Sequence, residues 1–174
     1  MNALFRRIPV RIPAIHYGYE GEGRSFGRQG MPEWKSGYRG DDGMEIRYLD
    51  GRPRLPPETP GWHRWDTEGG LCLELKPGEW AAYDFTVRSD GGDVAGGVDL
   101  GTVYRLVLQL GTPAGAGVAA VTLDGRPLAE LRPGTAWERI AAADRLPALE
   151  AGTHRVVVAA REGAVRVESL SFEA

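Results

Sequence analysis

The chain is poor in the residues that most often carry chemistry: its 174 residues hold one cysteine, three histidines, two lysines and a single asparagine, Asn2. A lone Cys72 excludes an internal disulfide. It alternates with Leu71 and Leu73 in an apolar run and reads as a buried, inert thiol, since a nucleophile would need a base and an orienting partner. His16, His63 and His154 fall in three separate segments without ligand spacing, which leaves no zinc site. The basic residues are 19 arginines plus Lys35 and Lys76, scattered among acidic residues to a net charge of −3. That distribution gives no footprint for nucleic acid and no polybasic run for an anionic membrane. No stretch approaches the ~20 apolar residues of a membrane span. Met1 to Arg11 has no apolar run of signal-peptide length, so the chain as given reads as soluble and without an export signal. Gly21-x-Gly23 neither follows a strand nor opens a helix, so no phosphate loop is indicated.

What is present is a turn-rich alternation. Glycine (25) and proline (12) are abundant, yet 42% hydrophobic content argues for a packed all-β chain rather than disorder. One domain of this length can bury about 70% of its unfolded surface. Leu71, Leu73 and Leu75 alternate with other residues, and Trp80, Ala82 and Phe85 follow the turn Lys76-Pro77-Gly78. Leu106, Leu108 and Leu110 interleave with Arg105 and Gln109 in the same period of two. Val118–Leu123 and Arg126–Leu131 flank Asp124-Gly125, a strong hairpin signal. Met44–Leu49, Trp137–Ile140, His154–Ala160 and Val165–Phe172 complete eight to ten short strands, and no 3.6-residue period runs for a useful length. The fold class is all-β: a two-sheet antiparallel β-sandwich of jelly-roll type.

Residues 1–10 read as an N-terminal arm and 11–174 as a single sandwich domain. Residues 13–43 are rich in Gly, Tyr and charge and read as loop. Residues 50–70 form a long Pro-rich loop whose prolines cannot sit in a central strand. Ala141–Leu149 is the one stretch with helical character, and Pro147 turns the reading toward a loop. Trp80 is weighed as core more than as surface.

The residues also carry a family likeness. Arg11-Ile12-Pro13-Ala14 with Tyr17 and Gly21-Glu22-Gly23, then Gly37-Tyr38-Arg39 with Asp41-Asp42-Gly43 and Glu45-Ile46, then Gly78-Glu79-Trp80 with Tyr83 and Val87, stand in order along the chain. Together with the three phrases Gly101–Leu110, Val121–Leu128 and Ala151–Val158, they resemble carbohydrate-binding modules of the family 6 and family 35 group. The resemblance spans about Arg11 to Phe172. It implies a non-catalytic polysaccharide-binding module, an accessory of a covalently linked glycan-active enzyme, extracellular as part of a larger secreted protein. The other class it leaves open is a structural or protein-interaction sandwich that has lost sugar binding.

In that group two aromatic side chains clamp a sugar ring and an asparagine before the last strand hydrogen-bonds it. The matching aromatics are Tyr38 and Trp137, with Arg39 beside the first. No asparagine is available there, so Glu162 or Arg166 would have to stand in. Trp137 follows a turn and serves equally as platform or as core edge; Tyr38 is either a contact or a loop residue. Trp62 and Trp65, in Trp62-His63-Arg64-Trp65-Asp66, either extend the platform or fold back over the sandwich edge, and Trp34 shares that ambiguity. The group's structural calcium draws glutamates from the opening strand, where this chain has Pro13 and Ile15, and a late aspartate, where it has Glu168. Calcium takes six to eight oxygens, so no metal or other cofactor is expected. Asp41, Asp42, Glu45, Glu79 and Asp84 offer carboxylates, but glycoside hydrolysis needs two of them about 5–10 Å apart in a groove. Acidic loop residues are more often solvated, and the chain is read as no enzyme.

Overall fold

A computed structural model describes residues 10–30, 39–51, 70–87 and 103–173; Tyr38, Trp62 and Trp65 lie outside them, as does Trp34. The described residues form eleven strands: β1 (Val10–Pro13), β2 (Phe26–Gly27), β3 (Glu45–Tyr48), β4 (Leu71–Leu75), β5 (Trp80–Val87), β6 (Arg105–Gly111), β7 (Val118–Leu123), β8 (Arg126–Leu131), β9 (Glu138–Ala143), β10 (Gly152–Glu162) and β11 (Val165–Glu173). One sheet runs β3-β4-β11-β6-β9 with β1 also on β11, and the other runs β2-β5-β10-β7-β8. All strand pairings are antiparallel. The connections mostly cross from one sheet to the other, which makes the two-sheet sandwich that the alternation predicts.

Period-two alternation decides which side chains meet between the sheets. Leu106, Leu108 and Leu110 are fully buried, and they face Val156, Val158 and Phe85 in one continuous core. In β11 the inward residues change parity, from Val165 and Val167 to Leu170 and Phe172. A register shift between Val167 and Ser169 absorbs the extra residue. Asp124 (φ 50) and Gly125 (φ 75) both take the left-handed conformation that a tight hairpin between β7 and β8 requires.

Four expectations need adjustment. Trp80, weighed as core, is half-buried with its indole against Gly27: it stands five positions from Phe85, which is buried at 1% exposure, and so falls on the other face of β5. Ala141–Ala143 continue β9 instead of turning, paired with Val107 and Leu106 of β6. The stretch read as loop contains β2, whose two residues pair with Ala81 and Trp80. Val10, placed with the arm, already pairs with Phe172.

Register also defines one rim of the sandwich. Leu75 pairs with Val165, Gly111 with Arg166 and Leu110 with Glu138. The β4–β5 turn, the β10–β11 turn, the β6–β7 loop and the start of β9 therefore gather at the same end. Gly163 (φ +54) in the β10–β11 turn sits so close to the β6–β7 loop that a Cβ would lie 2.1 Å from the Ala116 carbonyl.

Candidate functional site

Trp137 stands at this rim, at the end of the β8–β9 loop. That loop is closed by the Gly134 amide donating to Glu138 Oε1 (2.9 Å) and tied to the β6–β7 loop by the Thr112 amide donating to the Gly134 carbonyl (2.9 Å). The indole lies over Gly111, where an added Cβ would be 3.6 Å from its Cε3. Its Nε1 donates to the Leu49 carbonyl at 2.9 Å. β9 and β3 are opposite edges of the six-stranded sheet, so this bond carries the turn after β3 across the sheet's outward face.

The turn is fastened by charge beneath it. Gly51 N–H donates to the Tyr48 carbonyl (2.8 Å), and Gly51, at φ +85, leaves room for the Arg166 guanidinium, which a Cβ would approach to 2.5 Å. Arg166 Nε donates to Glu74 Oε2 (2.7 Å), and Arg47 Nε lies 3.1 Å from Glu74 Oε1, close but misaligned for a hydrogen bond. Arg47 also pairs with Glu45, which Lys76 meets at 3.0 Å; that hydrogen bond raises the Lys76 pKa. Glu74 is only 6% exposed. Cys72 beside it is sealed, and burial pushes its thiol pKa up to about 12, so it stays protonated near neutral pH.

Arg166, offered by the sequence in place of the missing asparagine, is thus tied to Glu74 next to Trp137. Glu162, at the end of β10, holds an exposed carboxylate 3.8 Å from Arg132 of the β8–β9 loop. Arg39 sits elsewhere, in the segment leading into β3. Its side chain is 6% exposed, packed on the Tyr17 ring and bonded inward to Asp42 and the Tyr17 and Gly18 carbonyls. Tyr17 is fully buried, and burial raises its phenol pKa well above the usual range. Tyr19, which sequence reasoning did not single out, caps the other side of Arg39 at 4.2 Å. A Tyr in a glycine-rich loop gives no local sign of that stack. Glu74 did leave a sign, since a carboxylate inside Leu-Cys-Leu-Glu-Leu has to find a cation.

The calcium position does not fit a cation. Pro13 offers no carboxylate, Ile15 is 2% exposed in the core, and Glu168 is engaged by Arg11 and by Ser169. Among the described residues no cluster of three metal-ligating side chains occurs, and no helix is long and apolar enough to cross a membrane. An open polar groove of about 340 Å³ lies on the outward face of the six-stranded sheet, floored by Gln109, Ser169 and Ser171. Its rim charges are matched as Arg11–Glu168 and Arg139–Glu173.

No family profile and no curated protein matches the chain in sequence. Solved structures match it in shape. The C-terminal CBM6 of LamC, a marine laminarinase from Zobellia galactanivorans, aligns with 95% of this chain and 98% of its own at TM-score 0.55 and 13% identity. The carbohydrate-binding module CBM6cm-2 of Cellvibrio mixtus lichenase 5A, solved with cellotriose, aligns over 95% and 97% at TM-score 0.52 and 14% identity. A ruminal GH26 endo-β-1,4-mannanase aligns over 97% of this chain and 26% of its own at TM-score 0.50 and 12% identity. The chain is built, nearly end to end, on the β-sandwich fold of family 6 carbohydrate-binding modules.

Proposed function

We propose that the chain binds a polysaccharide without cleaving it, through a surface centred on Trp137. The observation that carries this reading is the state of that side chain. Its one polar atom is satisfied internally by Leu49, its ring is half-buried over Gly111, and what it presents outward is apolar ring surface. The C–H face of a pyranose packs on such a surface, while its hydroxyl rim takes polar partners such as the Glu162 carboxylate or Arg166. Tyr38, Trp62 and Trp65 extend the platform in this reading, and no metal takes part.

The likeness to modules of a laminarinase and a lichenase, and to a quarter of a mannanase, supports an accessory role beside a catalytic domain in a secreted protein. Tethering would raise the effective concentration of that domain at a glycan. A shallow polar site must desolvate many hydroxyls, so affinity falls in roughly the micromolar-to-millimolar range. Tryptophan fluorescence and calorimetric titration against soluble glucans, xylans, mannans and galactans test this. Saturable binding that Trp137→Ala abolishes, with no glycan cleavage, is expected; silence across the panel would overturn the reading.

A further inference from the structure

Resting on that reading, we infer that Tyr19 is a second contact aromatic, for a neutral pyranose, and that Arg39 positions it. Among the described residues Tyr19 is the one large aromatic left exposed, at 57%. It is also held firmly. The Arg39 guanidinium carbon lies 4.2 Å from the Tyr19 ring centre and 3.5 Å from that of Tyr17, a cation between two rings. Tyr17 in turn meets Phe26 edge-on at 5.4 Å and donates its hydroxyl to Asp42 (3.0 Å). The column Phe26–Tyr17–Arg39–Tyr19 thus runs from core to surface.

The backbone on either side of Tyr19 is pinned as well. Gly18 N–H donates to the Ala82 carbonyl (2.9 Å), and Glu20 N–H donates to Ser25 Oγ (2.9 Å). The Glu20 carboxylate accepts from Arg155 at 2.7 Å. An aromatic ring already fixed loses little further freedom when a ligand covers it.

The charge environment selects a neutral ligand. Arg39 directs Nε to Asp42 (2.6 Å) and both terminal nitrogens to the Tyr17 and Gly18 carbonyls, so it does not offer a fork to a carboxylate. Asp41, exposed on the same short turn, would repel one.

The test titrates the full chain, Tyr19→Ala, Tyr19→Phe and Trp137→Ala with soluble neutral glucan, xylan and mannan, and with polygalacturonate. Tyr19→Ala is expected to weaken neutral-glycan binding about tenfold or more, and Tyr19→Phe to stay within about threefold. Bound glycan is expected to shield Tyr19 of the wild-type chain from nitration by tetranitromethane, read by peptide mass, which decides the matter should Tyr19→Ala fold poorly. Undiminished binding by Tyr19→Ala, or unshielded nitration, overturns the Tyr19 assignment; if Trp137→Ala still abolishes binding, the broader reading stands. Preference for polygalacturonate overturns the neutral-ligand assignment. A wild-type chain that binds none of the glycans overturns both.

Discussion

Among the described residues, two guanidinium–carboxylate clusters, one on the outward face of each sheet, are inverted copies of one idea. On the six-stranded sheet a single carboxylate, Glu74, is shared by Arg47 and Arg166, with side-chain exposures of 8%, 22% and 19%. On the five-stranded sheet a single guanidinium, Arg155, is shared by Asp84 and Glu20, with exposures of 36%, 31% and 53%. The first cluster holds down the Tyr48–Gly51 turn that meets Trp137; the second holds the loop bearing Tyr19. Ionic pairs in water contribute little, whereas removing one member of a dry cluster strands the others without solvent. The two proposed contact aromatics therefore rest on anchors of very different strength.

The sharpest break of this comparison is Glu74→Ala against Asp84→Ala. Loss of Glu74 leaves two largely buried guanidinium groups without their shared partner and is expected to cost about 3–5 kcal/mol of stability. Loss of Asp84 leaves Arg155 bonded to Glu20, to the Arg24 carbonyl and to water, and is expected to cost at most about 1 kcal/mol. Urea denaturation of both variants measures the gap. Equal losses would mean that burial does not separate the clusters.

Trp137→Phe probes the dry corner more gently. It keeps an aromatic over Gly111 and removes the bond to Leu49, so a loss of about 1 kcal/mol is expected. Hydrogen exchange should quicken at the Gly51 amide, which closes the turn onto the Tyr48 carbonyl. Unchanged exchange there would show that the turn stands without Trp137, held by Arg47, Arg166 and the Leu49 amide bond to the Gly70 carbonyl.

The sandwich was legible because period-two alternation and turn residues act locally: Leu106, Leu108, Leu110 and the Asp124-Gly125 hairpin need no distant information. The places where the reading slipped need it. Trp80 reads as core by its hydrophobicity, yet strand parity sets it on the face opposite the buried Phe85. β2 is only two residues long and is held in place by pairing with β5, more than fifty positions away. Arg39 looked like a surface partner of Tyr38, yet its φ of 53 and its bonds to residues 21 and 22 positions upstream turn it inward. Trp137 reads equally as platform or core edge from its neighbours in sequence; the structure half-buries it over Gly111, and the bond to Leu49 that holds it joins segments 88 positions apart.

The smallest effect belongs to the core-facing end of β10, one residue from Arg155, and concerns pH. His154 follows the second cluster's sheet: Nδ1 lies 2.7 Å from Asp124 Oδ2, Nε2 lies 2.8 Å from the Glu150 carbonyl, and the ring stacks on Phe85. Both neighbours accept hydrogen bonds, so both bonds form together only when the ring is the imidazolium. Burial alone would lower its pKa; the bonds to Asp124 and Glu150, with the charges of both, outweigh that and raise it above 6.5. Asp124 shows the converse. Burial would raise it, while the His154 bond, the Arg155 amide and the charges of His154 and Arg126 hold it below 3.8. The contribution of a histidine with a raised folded pKa is complete below the unfolded value and is lost as pH climbs through the folded one. That of Asp124 is lost as pH falls through its own lowered value. With Asp124 partly exposed, the change across neutral to mildly alkaline pH is expected to be no more than about 1 kcal/mol. The urea midpoint should fall from pH 6 to pH 9 in the wild type and stay flatter in His154→Gln, while the deficit of Glu74→Ala, whose cluster holds no histidine, should be the same at both. Parallel curves for wild type and His154→Gln would show that the imidazolium adds nothing to the fold.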